Sequence, residues 1–200
     1  MHLVFDIFQG VGIAAAVGIR PFLPGLAAGA LAAGDIGVDH FDFNHTHYSF
    51  LQSSWFLLVM AVGAVASVMV ERSALVERIR RPPLSYLLML IAAGIGGMFF
   101  AGSLCRGGYL VWPGWVGGVL CAAVGVAASR PFLDRVRQRL DAAAAAVGLP
   151  LIGEGSALLL AVLSVVAPPV GPVVLLLLLW MLIRGRGRDD QKYAGLRILR

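Results

Sequence analysis

The chain is predicted to be an all-α, polytopic membrane helix bundle of about six transmembrane segments, and three observations predict it. Hydrophobic residues make up 59% of the sequence and charged residues 14%, with a mean hydropathy of +0.85. That is too apolar for a soluble domain of ordinary composition. Uncharged apolar runs recur along the 200 residues, and a hydrocarbon core of about 30 Å asks for about 20 of them per crossing. Finally, the basic residues behind the net charge of +5 gather in three patches between the runs, the pattern of short cytoplasmic loops.

The first segment, Leu3 to Ala33, is too long for one straight crossing. Gly18-Ile19-Arg20-Pro21-Phe22-Leu23-Pro24-Gly25 interrupts it with a charge and two prolines. Proline removes a backbone donor and clashes with the preceding turn, while the guanidinium stays protonated at any accessible pH. Broken backbone at membrane depth survives only inside protein or along a wet cavity. The segment is therefore expected to be a broken crossing. Asp6 is the one charge in the first ten residues, and without a basic leader the segment is kept as part of the bundle and not read as a signal peptide.

Ser54 to Val70, Leu84 to Leu104 and Tyr109 to Ala128 are uncharged and predict three regular crossings. Their glycines, Gly94, Gly96 and Gly97 in one and Gly114, Gly117, Gly118 and Gly125 in the next, let helices approach closely. They fit packing inside one bundle, or the interface of a homo-oligomer. The region from Ala142 to Ile183 holds two interruptions, Gly148-Leu149-Pro150 through Glu154-Gly155 and Pro168-Pro169-Val170-Gly171-Pro172. Glycine and proline at that density punctuate structure. A fifth helix, Asp141 to Ala167, is expected to break near Pro150, and a short sixth to run from Pro172 to Arg184.

Arg72, Arg78, Arg80 and Arg81 form the first basic patch, four arginines between Arg130 and Arg139 the second, and Arg184, Arg186, Arg188, Lys192, Arg197 and Arg200 the third. With the Asp35 to Ser53 loop outside, the first two patches fall inside, and the tail joins them if Ala142 to Ile183 crosses twice or forms a re-entrant hairpin turning at Pro168 to Pro172, with N and C termini cytoplasmic in a bacterial inner membrane. Residues 1–185 then form one transmembrane domain and 186–200 a basic cytoplasmic tail. Ser129 as N-cap with Pro131 in the first turn predicts a surface helix, and Ser73 to Arg81 repeats the idea. Both are expected to lie against anionic lipid headgroups. Phe132 and Tyr193 are the lone aromatics within the patches, which falls short of aromatic interleaving, so nucleic acid is not an expected partner. Cys105 and Cys121 lie sixteen residues apart, one at a membrane edge and one inside a span, an arrangement that does not suggest a disulfide.

Arg20 and Glu154 are the ionisable groups placed deep in the predicted membrane region. Their depths, roughly 25 Å and roughly 20 Å from the cytoplasmic starts of their segments at about 1.5 Å per residue, are similar. The two breaks are therefore expected to face each other, with Arg20, Pro21, Pro24, Gly148, Pro150 and Glu154 forming a substrate-binding or coupling site. An inert structural ion pair is the competing account. A second cluster, Asp39, His40, Asp42, His45 and His47, has carboxylate and imidazole groups suited to zinc or another transition metal, against the plainer account of a solvated polar loop. No nucleotide loop, zinc helix or nucleophile elbow is present, so neither a cofactor nor an enzyme is expected.

The Gly18 to Pro24 stretch, Phe50-Leu51-Gln52-Ser53-Ser54-Trp55-Phe56 and Gly148 to Glu154 together resemble a bacterial integral-membrane family known as domain of unknown function 4126, and the resemblance covers most of the chain. Leu149 stands where a polar residue is usual, and Gly155 where an acid is common. The family resemblance implies a membrane bundle and directs attention to Arg20 and Glu154, but implies no activity. The residues favour a small secondary transporter or channel-like permease for a small solute, an anion among the options. The alternatives are a non-catalytic membrane scaffold that binds lipid or partners through its Arg-rich loops, and a lipid-modifying enzyme that would need a nucleophile or metal.

Overall fold

A computed structural model describes residues 2–37, 41–72, 84–137 and 142–194. Among these the chain forms seven α-helices and one short 3-10 turn, with no strand. They are α1 (His2–Ile19), α2 (Phe22–Ala33), the 3-10 turn (Ser49–Gln52), α3 (Ser54–Arg72), α4 (Leu84–Arg106), α5 (Trp112–Arg137), α6 (Ala142–Val166) and α7 (Val170–Ala194). The apolar runs read from sequence become helices, with limits close to the expected ones in α3, α4 and α6, whereas α5 continues past the expected end at Ala128 to Arg137 and α7 past Arg184 to Ala194.

The first segment is not one broken crossing. Helices α1 and α2 form a hairpin, joined by Arg20 and Pro21. Gly37, just beyond α2, packs against Val165, and the Val165 carbonyl accepts a hydrogen bond from Gln9 Nε2 at 3.2 Å. The chain just beyond α2 has therefore returned to the level of Gln9, in the first half of α1. The prolines explain why α2 starts cleanly. Pro21 is its N-cap residue and Pro24 lies in its first turn, where helical N–H groups have no intrahelical acceptor and none is missed.

The remaining helices alternate. Phe22 packs on Gly63 and Leu51 on Gly29, so α3 runs antiparallel to α2; Gly10 meets Phe100 and Gly96 meets Ala14, which sets α4 antiparallel to α1. Gly114 against Ala101 and Gly118 against Gly96 reverse the chain again into α5. Helix α6 returns, with Ser164 against Gly12 and Gly153 against Arg20, and α7 leaves again with Gly171 against Phe8 and Gly12. The start of α1 and the end of α7 consequently lie at opposite ends of the bundle. A single crossing in place of the hairpin, as read from sequence, would put them at one end.

Among the described residues, three helical stretches are long and apolar enough to cross a membrane: Ser85–Arg106, Trp112–Val136 and Gly148–Val166. This is fewer than the six expected. Leu3–Ile19, Phe22–Ala33, Ser54–Val70 and Val170–Arg184 are apolar but shorter; at about 1.5 Å per residue a 12-residue helix spans about 18 Å, well short of a bilayer core. The fifth crossing is also not broken. Helix α6 continues through Gly148, Pro150 and Gly155, because one missing N–H leaves helix as the conformation that still satisfies the surrounding backbone. Nor does a surface helix begin at Ser129. Helix α5 runs on through Pro131, and the Ser129 hydroxyl donates back to the Val126 carbonyl at 3.3 Å instead of capping. The surface helix expected over Ser73 to Arg81 lies outside the described residues.

Glycines of α4 and α5 serve packing within the chain. A Cβ on Gly118 would stand 2.7 Å from the Gly97 Cα, and one on Gly114 the same distance from the Ala101 Cα. Gly94 faces open space. The outward faces carry exposed apolar residues on several helices, Leu58, Val62, Leu90, Leu120, Leu151 and Leu176 among them. Apolar surface on that scale calls for a lipid or protein neighbour.

The segment between α2 and α3 folds inward. Phe41, Phe43 and Leu51 are fully buried in the main core with Ile13, Val17, Ala28, Phe99 and Val165. Side-chain amides hold it: Gln52 Oε1 accepts from the Phe43 amide at 2.9 Å, Gln52 Nε2 donates to Asn44 Oδ1 at 2.7 Å, and Asn44 Nδ2 donates to Asp42 at 2.7 Å. Trp115 Nε1 donates to the Tyr48 hydroxyl at 2.8 Å and ties the segment to α5.

Candidate functional site

Arg20 stands at the tip of the α1–α2 hairpin because two prolines end one helix and start the next. Its amide still donates to the Ala16 carbonyl at 3.1 Å, so it completes the last turn of α1. The side chain therefore lies by the negative end of the α1 dipole, which favours a cation.

Glu154 approaches from α6. Arg20 Nε and Glu154 Oε1 are 4.0 Å apart, with side chains only 15% and 11% exposed. Arg20 Nε and Glu154 Oε2 are shut off from solvent. At a low local dielectric a charge pair at this range attracts strongly, yet removing two charges from water is also expensive. Ser67 of α3 donates to Glu154 Oε1 across 3.4 Å and also to the Ala64 carbonyl at 2.8 Å. Four helices, α1, α2, α3 and α6, thus meet at one point.

Gly153 makes the approach possible. A Cβ at this position would lie 2.9 Å from both Nε and Nη2 of Arg20, so any other side chain would intrude on the guanidinium. Pro150, one turn before Glu154, is buried, and so is Pro24; Gly148 is half-buried with open space beside its Cα, and Pro21 forms the joint itself. The hairpin tip and the middle of α6 therefore come together as expected, although α6 does so as an unbroken helix.

Of the proposed metal ligands, Asp42, His45 and His47 lie among the described residues. Among the described residues no group of three His, Cys, Asp or Glu side chains gathers. Asp42 is engaged by Asn44, and His45 and His47 are exposed. Asp39 and His40 lie outside the described residues.

Sequence reasoning missed Ser67 and the role of Gly153, and it missed a second ion pair altogether. Asp6 of α1 is buried and accepts from Arg106 Nη2, at the end of α4. Arg106 Nη2 also donates to Gln9 Oε1 at 3.1 Å, and its guanidinium carbon lies 5.3 Å from the centre of the Phe41 ring. The available signal was Asp6 and Gln9 close together in the otherwise mostly apolar opening two turns of α1.

The chain belongs to the family described as Domain of unknown function (DUF4126), whose model matches residues 7–187. Arg20, Ser67, Gly153, Glu154 and Arg106 fall inside that range, and Asp6 immediately precedes it. Comparison with curated proteins and with solved structures gave no match.

Proposed function

We propose that this protein is a small secondary permease of the bacterial inner membrane, which moves a small anion through a site formed by Arg20 and Glu154. The observation that supports this most is the buried Arg20–Glu154 approach at 4.0 Å at the tip of a helical hairpin. Ionisable groups within a membrane segment are functional candidates by default. The start of α2 adds backbone N–H groups directed at the same tip, the geometry by which helix ends in transporters hold anionic groups.

The chemistry follows from charge balance. With Glu154 ionised, its carboxylate occupies Arg20 and the site is neutral. An anion that takes Glu154's place beside Arg20 leaves a buried carboxylate facing a second negative charge, a cost relieved when Glu154 takes up a proton. Anion and proton would then move together without net charge.

Orientation in this reading puts the segment with Phe41 to Gln52 outside. Arg130, Arg135 and Arg184 stand toward the opposite end of the bundle and face the cytoplasm and its anionic headgroups. The C terminus is then cytoplasmic and the start of α1 external, in place of the cytoplasmic N terminus read from sequence.

Flux of radiolabelled small anions into proteoliposomes of defined pH gradient tests this. Wild type should accumulate an anion, Arg20→Ala should abolish accumulation, and Glu154→Gln should remove its dependence on the gradient. A non-catalytic scaffold is the competing reading, favoured by the close packing of α1 against its neighbours. It expects no flux from any of the three.

A further inference from the structure

Helix α1 is fastened at both ends by an ion pair of opposite polarity. Near its start it supplies the acid, Asp6, to Arg106; just beyond its end it supplies the base, Arg20, to Glu154. The two are about 21 Å apart along the helix at 1.5 Å per residue. The space between is filled by Ile13, Val17, Ala28, Ala32 and Val165 of the buried core.

The pair near the start of α1 joins three helix ends. Asp6 and Gln9 of α1 hold Arg106 of α4, and Gln9 Nε2 holds the Val165 carbonyl at the end of α6. Phe41 covers the cluster, with its ring beside the guanidinium and its Cβ against Gly37. The segment that carries Phe41 is tied down by Trp115 to Tyr48 and by Gln52 to Phe43. No part of this is required to hold Arg20 and Glu154 together.

We propose that the Asp6–Arg106–Gln9 cluster, covered by Phe41, is the outer gate of the permease and that its parting admits a small anion toward Arg20. The inference rests on the permease reading. A pair at helix ends parts at lower cost than one at mid-membrane, because both charges regain water on separation. Gly108 follows Arg106 directly after Gly107, with φ +74°, a left-handed conformation suited to glycine. It lets the backbone reverse next to the gate. Once freed, Arg106 is the first cation that an anion meets from that side, and it would raise the local anion concentration at the mouth.

Thiol accessibility tests the gate without a known solute. Cys105, next to Arg106, is half-buried, and Cys121 is buried; Cys121→Ser makes Cys105 the single reporter. The full chain is placed in lipid nanodiscs and exposed to a membrane-impermeant maleimide. Asp6→Asn and Arg106→Gln should each label about tenfold faster than the Cys121→Ser parent, the scale of a typical coupling between two states. The exchanged pair, Asp6→Arg with Arg106→Asp, should return toward the parental rate. Phe41→Ala keeps both charges and should also label faster; it decides the matter alone if the charge variants do not yield monodisperse protein. Unchanged labelling in the single variants, or an exchanged pair that labels as fast as they do, overturns the gate. Failure of the permease reading would be seen elsewhere, as anion flux that Arg20→Ala leaves intact.

Discussion

Gly153 lies directly against the guanidinium of Arg20, so close that a methyl group there would stand 2.9 Å from both Nε and Nη2. Two residues on, Gly155 faces open space. The two glycines of one motif therefore carry opposite expectations. Gly153→Ala should push Arg20 from Glu154 and destabilise the protein by about 1–3 kcal/mol, the usual range for overpacking. Gly155→Ala meets no atom and should stabilise the helix by about 0.4–1 kcal/mol through the unfolded state. Thermal unfolding in detergent compares them; equal shifts would remove the close contact from the account.

Removing one member of a buried pair should cost more than removing both. Arg20→Met or Glu154→Gln alone leaves a buried partner charged or poorly matched, with about 3–5 kcal/mol lost. Arg20→Met combined with Glu154→Leu should recover much of that stability while remaining unable to move solute. A double-mutant cycle on chemical unfolding measures the coupling. Additive single effects would show that the two groups do not interact.

The pairing of Arg20 with Glu154 could be read from sequence because a charge inside an apolar run stands out and few such charges compete. The extents of α3, α4 and α6 were legible for a related reason, since uncharged runs bounded by Arg, Gly and Pro leave little freedom in where a helix lies, whereas α5 and α7 run on into charged sequence that the apolar pattern does not include. The hairpin was not. Pro21 and Pro24 announce that α1 ends, but a two-residue joint kinks or reverses a chain with the same residues, and only tertiary contacts such as Gly37 with Val165 decide between them. That one ambiguity also placed the start of α1 and the end of α7 at the same end of the bundle in the sequence reading, where the fold sets them at opposite ends. Pro150 misled in the opposite direction, because proline is tolerated inside a helix when neighbouring helices keep it in place. Asp6 and Arg106, one hundred residues apart and each near the edge of an apolar run, look like ordinary topology markers until the fold brings them together.

Close helix crossings give a further expectation. Gly118 packs against the backbone of Gly96 and Gly97, whereas Gly94 on the same helix as its partners meets nothing. Gly118→Val should separate α4 from α5 and lower stability by about 1–3 kcal/mol. Gly94→Ala should leave the melting temperature unchanged or raised. If Gly94→Ala instead alters the oligomeric size seen by light scattering, that face is an interface between copies.

The described part of the segment between α2 and α3 is held by Gln52 and not by His45 or His47. Gln52 accepts from the Phe43 amide and donates to Asn44, while His45 and His47 are exposed. Gln52→Ala leaves the Phe43 N–H without its acceptor beside a fully buried ring, and should cost about 1–3 kcal/mol, the penalty for an unmade buried hydrogen bond. His45→Ala with His47→Ala should change stability by less than about 0.5 kcal/mol, as surface substitutions do. Added zinc separates this from metal binding. A zinc-dependent rise in melting temperature that the double histidine variant abolishes would reassign the segment to a metal site; the same melting curve with and without zinc leaves Gln52 as its organising residue.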